Sequence, residues 1–211
     1  MKAISYCLWG SNPKYIYGLY RNIETIQSKL RGYKIYLYVN RNYDIDIKGV
    51  TVVRTKHNSN YLMFDRFRNV ADITYSRDLD SPVLDREIEA MQEFEASDKM
   101  FHIIRDHPYH RARILGGTCG IKRGAVKAIN KIINDNIYLY EDKWFSDQEF
   151  LNDVIYPLIK DRVLIHSSFN FYSDETITPF PSARVGDEFV GMILPRVEEH
   201  HTILRDAENI I

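Results

Sequence analysis

ITYSRDLDSP, residues Ile73 to Pro82, is a β-branched and aromatic run that ends in two aspartates one residue apart, followed by Ser-Pro. The run predicts a buried strand and Ser81-Pro82 the start of a helix, so Asp78 and Asp80 fall at a strand's carboxyl end. Two like charges this close each raise the cost of ionising the other. Side chains at i and i+2 of an extended segment face the same way, and a turn there brings both onto one cation. Carboxylate oxygens suit Mg²⁺ or Mn²⁺, with substrate phosphates supplying further ligands. The competing reading is a solvated turn in which an aspartate caps the next helix.

Working outward, Lys2–Gly10 is an apolar run closed by Gly, which suits another buried strand. Asn12-Pro13 opens a helix on which Ile16, Leu19, Ile23, Ile26 and Leu30 share one stripe. Tyr33–Asn40 and Val50–Lys56 read as strands and Tyr61–Asp72 as a short helix. Beyond the aspartates, Leu84, Ile88, Met91 and Phe94 mark a helix face, residues 100–108 and 112–122 read as strands, and Ala125–Ile133 as a helix. Ser146 and Glu149 have capping-box spacing before Phe150, Leu151, Val154, Ile155 and Leu158, and Arg162–Phe169 reads as the last strand.

This alternation predicts an α/β fold, a mixed and mostly parallel sheet flanked by helices, with ligands at the carboxyl ends of strands. Residues 1–169 form the expected core. From 170 to 211 the periodicity fades among Pro179, Pro181, Gly186, Gly191 and Pro195, and this extension either packs on the core or leads to a further domain of a longer parent chain.

A net charge of −1 over 211 residues argues against nucleic acid as a partner, because that binding needs excess Lys and Arg. Two cysteines, Cys7 and Cys119, cannot build a disulfide framework for a chain this size, so reduced thiols and the cytoplasm are expected. No apolar run approaches about 20 residues, so no transmembrane segment is expected, and no signal peptide is read at the start. The 15 tyrosines suit packing on sheet faces or, alternatively, stacking on a base or sugar. Gly116-Gly117-Thr118-Cys119-Gly120 lacks dinucleotide-fingerprint spacing, and no P-loop is present. His107-x-x-His110 and His200-His201 lack the cysteine partners or His-Glu motif that would support zinc.

"SRDLDS" followed by "REIEAMQEF", then "FHIIRDHPYH", "ILGGTCGIKRGA" and "DQEFLNDVIYPLI", in that order, resemble sugar-nucleotide-dependent glycosyltransferases of the GT-A fold. The likeness is nearest to small domains at the front of multidomain chlorella-virus proteins that build capsid glycans. "DQEFLN" is similar to the D-Q-D-x-L-N segment of retaining members, with Glu149 departing at the third position.

The resemblance implies a metal-dependent enzyme that moves a hexose or deoxyhexose from a UDP-sugar donor to a glycan or glycoprotein acceptor, with retention of configuration. It would work in the host cytoplasm if viral. Asp78 and Asp80 would hold Mn²⁺ or Mg²⁺, with His166 as third ligand. Asp147 and Gln148 would face the donor sugar. Asp106 or Asp147, acting as the acceptor's base, would instead permit inversion. Arg105, Asp106, His107 and His110 would contact sugar hydroxyls or diphosphate, or form a charged turn around Pro108. Gly116 and Gly117 would let backbone approach the donor, or mark a bulge. Arg66 or Arg68 would reach the diphosphate. Trp9 would line the base site, or belong to the core. Two other classes compete: a nucleotide- or glycan-binding module without turnover, and a metal-dependent nucleotidyltransferase or phosphoesterase.

Overall fold

The computed structural model describes residues 1–208. One seven-stranded sheet runs in the order β3-β2-β1-β4-β6-β5-β7. Its strands are β1 (Lys2–Leu8), β2 (Tyr33–Asn40), β3 (Val50–Thr55), β4 (Ile73–Arg77), β5 (Phe101–Arg105), β6 (Thr118–Lys122) and β7 (Val163–Ser167). All neighbours pair in parallel except around β6, which runs antiparallel to both β4 and β5. The expected mostly parallel sheet is therefore present. Its register sets Arg77 opposite Thr118, so the Asp78 turn leaves β4 beside Gly117, which enters β6.

Two helices cover one face, α1 (Pro13–Lys29) and α3 (Asp85–Ala96). There Ile4, Tyr6, Leu37 and Tyr75 of the strands bury against Leu19, Ile23, Met91 and Phe94. The opposite face carries α2 (Leu62–Asp65), α4 (Ile129–Asn136) and α5 (Ser146–Phe150), packing Phe64, Ile133 and Phe150 on Ile103, Cys119 and Ile121. Each such side chain, fully buried, contributes about 1.5–3 kcal/mol through removal of apolar surface from water. Both cysteines are free and buried, and burial pushes the Cys119 thiol up to about 12.

Several elements are shorter than their sequence pattern. The helix expected over Tyr61–Asp72 stops at Asp65, and the Val70 N–H turns instead to Thr74 Oγ1 at 3.3 Å. The strand expected over 112–122 begins only at Thr118, leaving Gly116 and Gly117 in a loop. The helix expected over Ala125–Ile133 starts at Ile129, because Ala128 takes a left-handed conformation, φ 56°. No capping box forms at Ser146. Its Oγ donates backward to the carbonyls of Glu141 and Lys143, and Phe145 occupies the cap position at φ 73°. Past Leu151–Ile155, a π-helical stretch, the helix resumes as α6 (Tyr156–Ile159) beside Pro157, which has no N–H for the ladder.

After β7 the chain folds back over the carboxyl edge of the sheet. Thr178 bridges to His166, Phe189 and Met192 pack with Leu204, and a helix the sequence reading did not anticipate, α7, spans Glu198–Glu208.

Candidate functional site

The Asp78–Asp80 turn is fixed from below. In α1, Gly18 lies so close that a β-carbon on it would come within 2.0 Å of the Leu79 carbonyl oxygen. One turn along, Asn22 Nδ2 donates to the carbonyls of Leu79 (3.2 Å) and Ser81 (2.9 Å). One turn back, Lys14 Nζ donates to Asp80 Oδ2 at 2.8 Å. Arg77, fully buried and paired with Glu87 of α3, donates to the Pro82 carbonyl at 3.0 Å. With its backbone gripped on both sides, the turn gives its two carboxylates different partners, the half-exposed Asp78 meeting Arg66 and the nearly buried Asp80 meeting Lys14 of α1.

Arg66, just past α2, joins this turn to α5. Its Nη1 donates to Asp78 Oδ1 and its Nη2 to Asp147 Oδ2, the latter at 2.7 Å. Burial opposes its charge, but the Asp78 and Asp147 carboxylates outweigh that penalty and hold the guanidinium above its ordinary value. A planar fork suits this two-way bridge, which a lysine's point charge would not make. Arg68 points elsewhere, to Asp65 and Asn134, each at 2.8 Å. The structure thus separates two arginines that the sequence left equivalent.

Gly116 and Gly117 make room for these side chains. A β-carbon at Gly116 would lie 2.5 Å from Arg66 Nη2 and 2.9 Å from Asp147 Oδ2, and one at Gly117 would lie 1.9 Å from Asp78 Oδ2. Asp78 keeps 49% of its side chain exposed, whereas Asp147 is nearly buried, with Gln148 half-buried beside it. Asp147 Oδ1 has no protein partner among the described residues.

Trp9, at the end of β1, is 39% exposed and its Nε1 donates to the Asn58 carbonyl. Two residues on, the backbone and side-chain nitrogens of Asn60 both donate to Asp142 Oδ1 at 3.0 Å. The loop over 58–60 is therefore bracketed by Trp9 on one side and by the segment leading into α5 on the other.

Four expected site residues are not brought to this cluster. Asp106, with no exposed surface, accepts from Arg86, Arg184, Ser168 and, at 2.9 Å, the Val190 N–H. Arg105 pairs with Glu175 and lies against the rings of Phe171 and Tyr172. His107 donates from Nε2 to the His200 carbonyl at 2.8 Å and packs on Phe189. Each is occupied by the C-terminal segment, so "RDHPYH" is an anchor for residues 168–208 rather than a face turned to a ligand. His110 joins it, accepting from the Asp106 N–H at 3.1 Å.

His166 is also misplaced for the role expected of it. It lies on the α3 face of the sheet, sharing a 2.7 Å hydrogen bond with His102 and facing Glu93 at 3.3 Å. Two strands separate β7 from β4, so the imidazole is roughly 14 Å to the side of the Asp78 turn at ordinary strand spacing. Among the described residues, no three His, Cys, Asp or Glu side chains gather as a preformed metal cage. The anchored segment does return to the site by another contact: the Leu194 N–H donates to the Asp80 carbonyl at 2.9 Å.

No protein-family model matches the chain, and no curated protein matches it significantly. Among solved structures it is similar to a glycosyltransferase involved in the glycosylation of the major capsid of PBCV-1, at 13% identity and a TM-score of 0.53, over 79% of this chain and 81% of that one. The galactosyltransferase LgtC, solved with donor and acceptor sugar analogues, aligns at 11% identity and a TM-score of 0.47, over 80% and 74% of the two chains. The first likeness establishes that this chain has the GT-A fold.

Proposed function

We propose that the chain is a glycosyltransferase that moves a hexose or deoxyhexose from a UDP-sugar to a glycan or glycoprotein acceptor, with retention of configuration and with Mn²⁺ or Mg²⁺ bound. The observation that carries this is the Arg66 bridge between Asp78 and Asp147 at the carboxyl end of β4, with Asp80 two residues on paired to Lys14, on a fold shared with a glycosyltransferase.

A divalent ion fits the residues present. Asp78 and Asp80 offer two oxygen donors on a rigid turn, and a diphosphate completes the coordination, the arrangement Mg²⁺ and Mn²⁺ commonly take. When bound, the ion supplies charge neutralisation for the departing nucleoside diphosphate. The chain's own groups do the remainder. Lys14 and Arg66 place two fixed cations beside the carboxylates, where phosphate oxygens would sit. Asp147, held by Arg66, directs Oδ1 at the sugar, where a carboxylate stabilises positive charge developing at the anomeric carbon. Gln148 follows it at the rim and orients a sugar hydroxyl.

A panel of UDP-sugars with Mn²⁺, read as UDP release, tests the reading. Release of UDP with free or transferred sugar supports it. Release of UMP or phosphate would assign the site to nucleotidyl transfer or phosphoester hydrolysis, and binding without any release would assign a binding module. Asp80→Ala should remove Mn²⁺-dependent UDP binding, and calorimetry showing unchanged affinity in that variant refutes the metal role.

A further inference from the structure

The segment entering α5 carries two large aromatic side chains on the surface in succession. Trp144 is 63% and Phe145 57% exposed, and their rings pack edge to face with centroids 5.6 Å apart. Both lie immediately before Ser146-Asp147, so they share the backbone that presents the Asp147 carboxylate to Arg66. Asp142, two residues upstream of Trp144, is tied to Asn60 in the loop that also accepts the Trp9 indole. The pair is thereby joined along the backbone to the aspartate that meets Arg66 and, through Asp142, to the loop that meets Trp9.

Phe145 holds φ 73°, a conformation that bulky side chains rarely adopt. Its backbone would be relaxed with glycine, yet the position carries a phenyl ring that packs on no buried cluster. The ring's presence is unexplained by folding. Around the pair, Lys143 lies 3.3 Å from Glu141 and 3.5 Å from Glu149, so exposed charged donors and acceptors border the apolar patch.

We propose that Trp144 and Phe145 form the platform on which the pyranose ring of the acceptor saccharide stacks, with Glu141, Lys143 and Glu149 meeting its hydroxyls. A sugar ring has one face of C–H groups and an equator of hydroxyls, so it needs an aromatic surface edged by polar groups. That is the composition found here. The inference rests on the glycosyl-transfer reading and adds the location of the second substrate.

The chain has two tryptophans, so 5-fluorotryptophan labelling of the unaltered sequence gives two fluorine NMR resonances, and the one lost in Trp144→Ala belongs to Trp144. On the labelled protein, glucose-, galactose- and rhamnose-containing disaccharides are titrated to millimolar concentration in the presence of UDP and Mn²⁺, whose own binding is followed by calorimetry. At least one disaccharide should shift or broaden the Trp144 resonance. Phe145→Gly, which suits the backbone and keeps the fold, should weaken that response about tenfold, the change expected for losing one well-stacked ring. Trp144→Ala, read by saturation-transfer NMR on the sugar, should do the same, with UDP affinity unchanged in both. If UDP binds and no disaccharide perturbs Trp144, or if both variants keep wild-type sugar affinity, the platform is refuted while the donor site stands. If neither UDP nor any sugar binds, both proposals fall together.

Discussion

Asp78 lies directly over the α-carbon of Gly117, where a β-carbon would come within 1.9 Å of its Oδ2. Gly117→Ala must therefore push the carboxylate aside, while the β4–β6 pairing next to it, Arg77 with Thr118, has no reason to change. A displacement of about 1 Å at a reacting or ligating group lowers kcat/KM by roughly 10²-fold. We expect that loss in UDP release, with an unaltered circular dichroism spectrum; a variant with full activity would show that the position of Asp78 is immaterial.

Arg66 is the only cation shared by Asp78 and Asp147 among the described residues. Arg66→Ala leaves the nearly buried Asp147 without its partner, and breaking a buried pair in this way costs about 3 kcal/mol or more. Asp78 adds little because it is half exposed. Guanidinium denaturation of wild type and variant measures the difference, and Arg66→Lys should recover only part of it, since an ammonium cannot make the forked contact.

Asp106 gathers Arg86, Arg184, Ser168 and the Val190 N–H on one buried carboxylate. Asp106→Asn should loosen residues 168–208 before the rest of the domain unfolds. Limited proteolysis is expected to cut within that segment in the variant and to spare it in the wild type. Equal resistance in both would return Asp106 to consideration as a catalytic base.

Stability should fall in mild acid. Burial, reinforced by His166 and Lys122, holds His102 well below its ordinary value, and burial together with His107 and His200 pushes His110 to about 3. Both are neutral in the folded chain, whereas in the unfolded chain histidines take up protons below about pH 6.5. The unfolded state then binds more protons, so stability is lost as pH drops from about 6.5 toward about 3, by up to ~1.4 kcal/mol per pH unit for each histidine. Denaturation midpoints at about pH 7 and about pH 5 test this. His110→Gln should flatten the profile, and a wild-type profile already flat over that interval would contradict it.

The alternation of apolar runs made the sheet, its helices and the paired aspartates legible, because strand and helix periodicities are local. Gly18 and Asn22 are legible in the row Lys14, Gly18, Asn22 beside the apolar stripe of α1: spaced by four, the three face the Asp78 turn together. The role of "RDHPYH" was not. Charged residues at a strand end look the same whether they await a ligand or a distant stretch of chain, and Glu175, Arg184 and Val190 lie far along the sequence. Likewise, nothing in "RVLIHSSF" shows that His166 faces α3 and not the aspartates, since that depends on which strands intervene. The capping-box pattern at Ser146 failed because its hydroxyl found nearer carbonyls.

The Leu194-to-Asp80 hydrogen bond has a bearing on how the protein is made. Translation delivers the aspartate turn more than a hundred residues before the amide that closes it, so that turn's backbone partner is among the last parts of the fold to be made. Ligand added to ribosome-stalled lengths should be captured only after Leu194 has emerged.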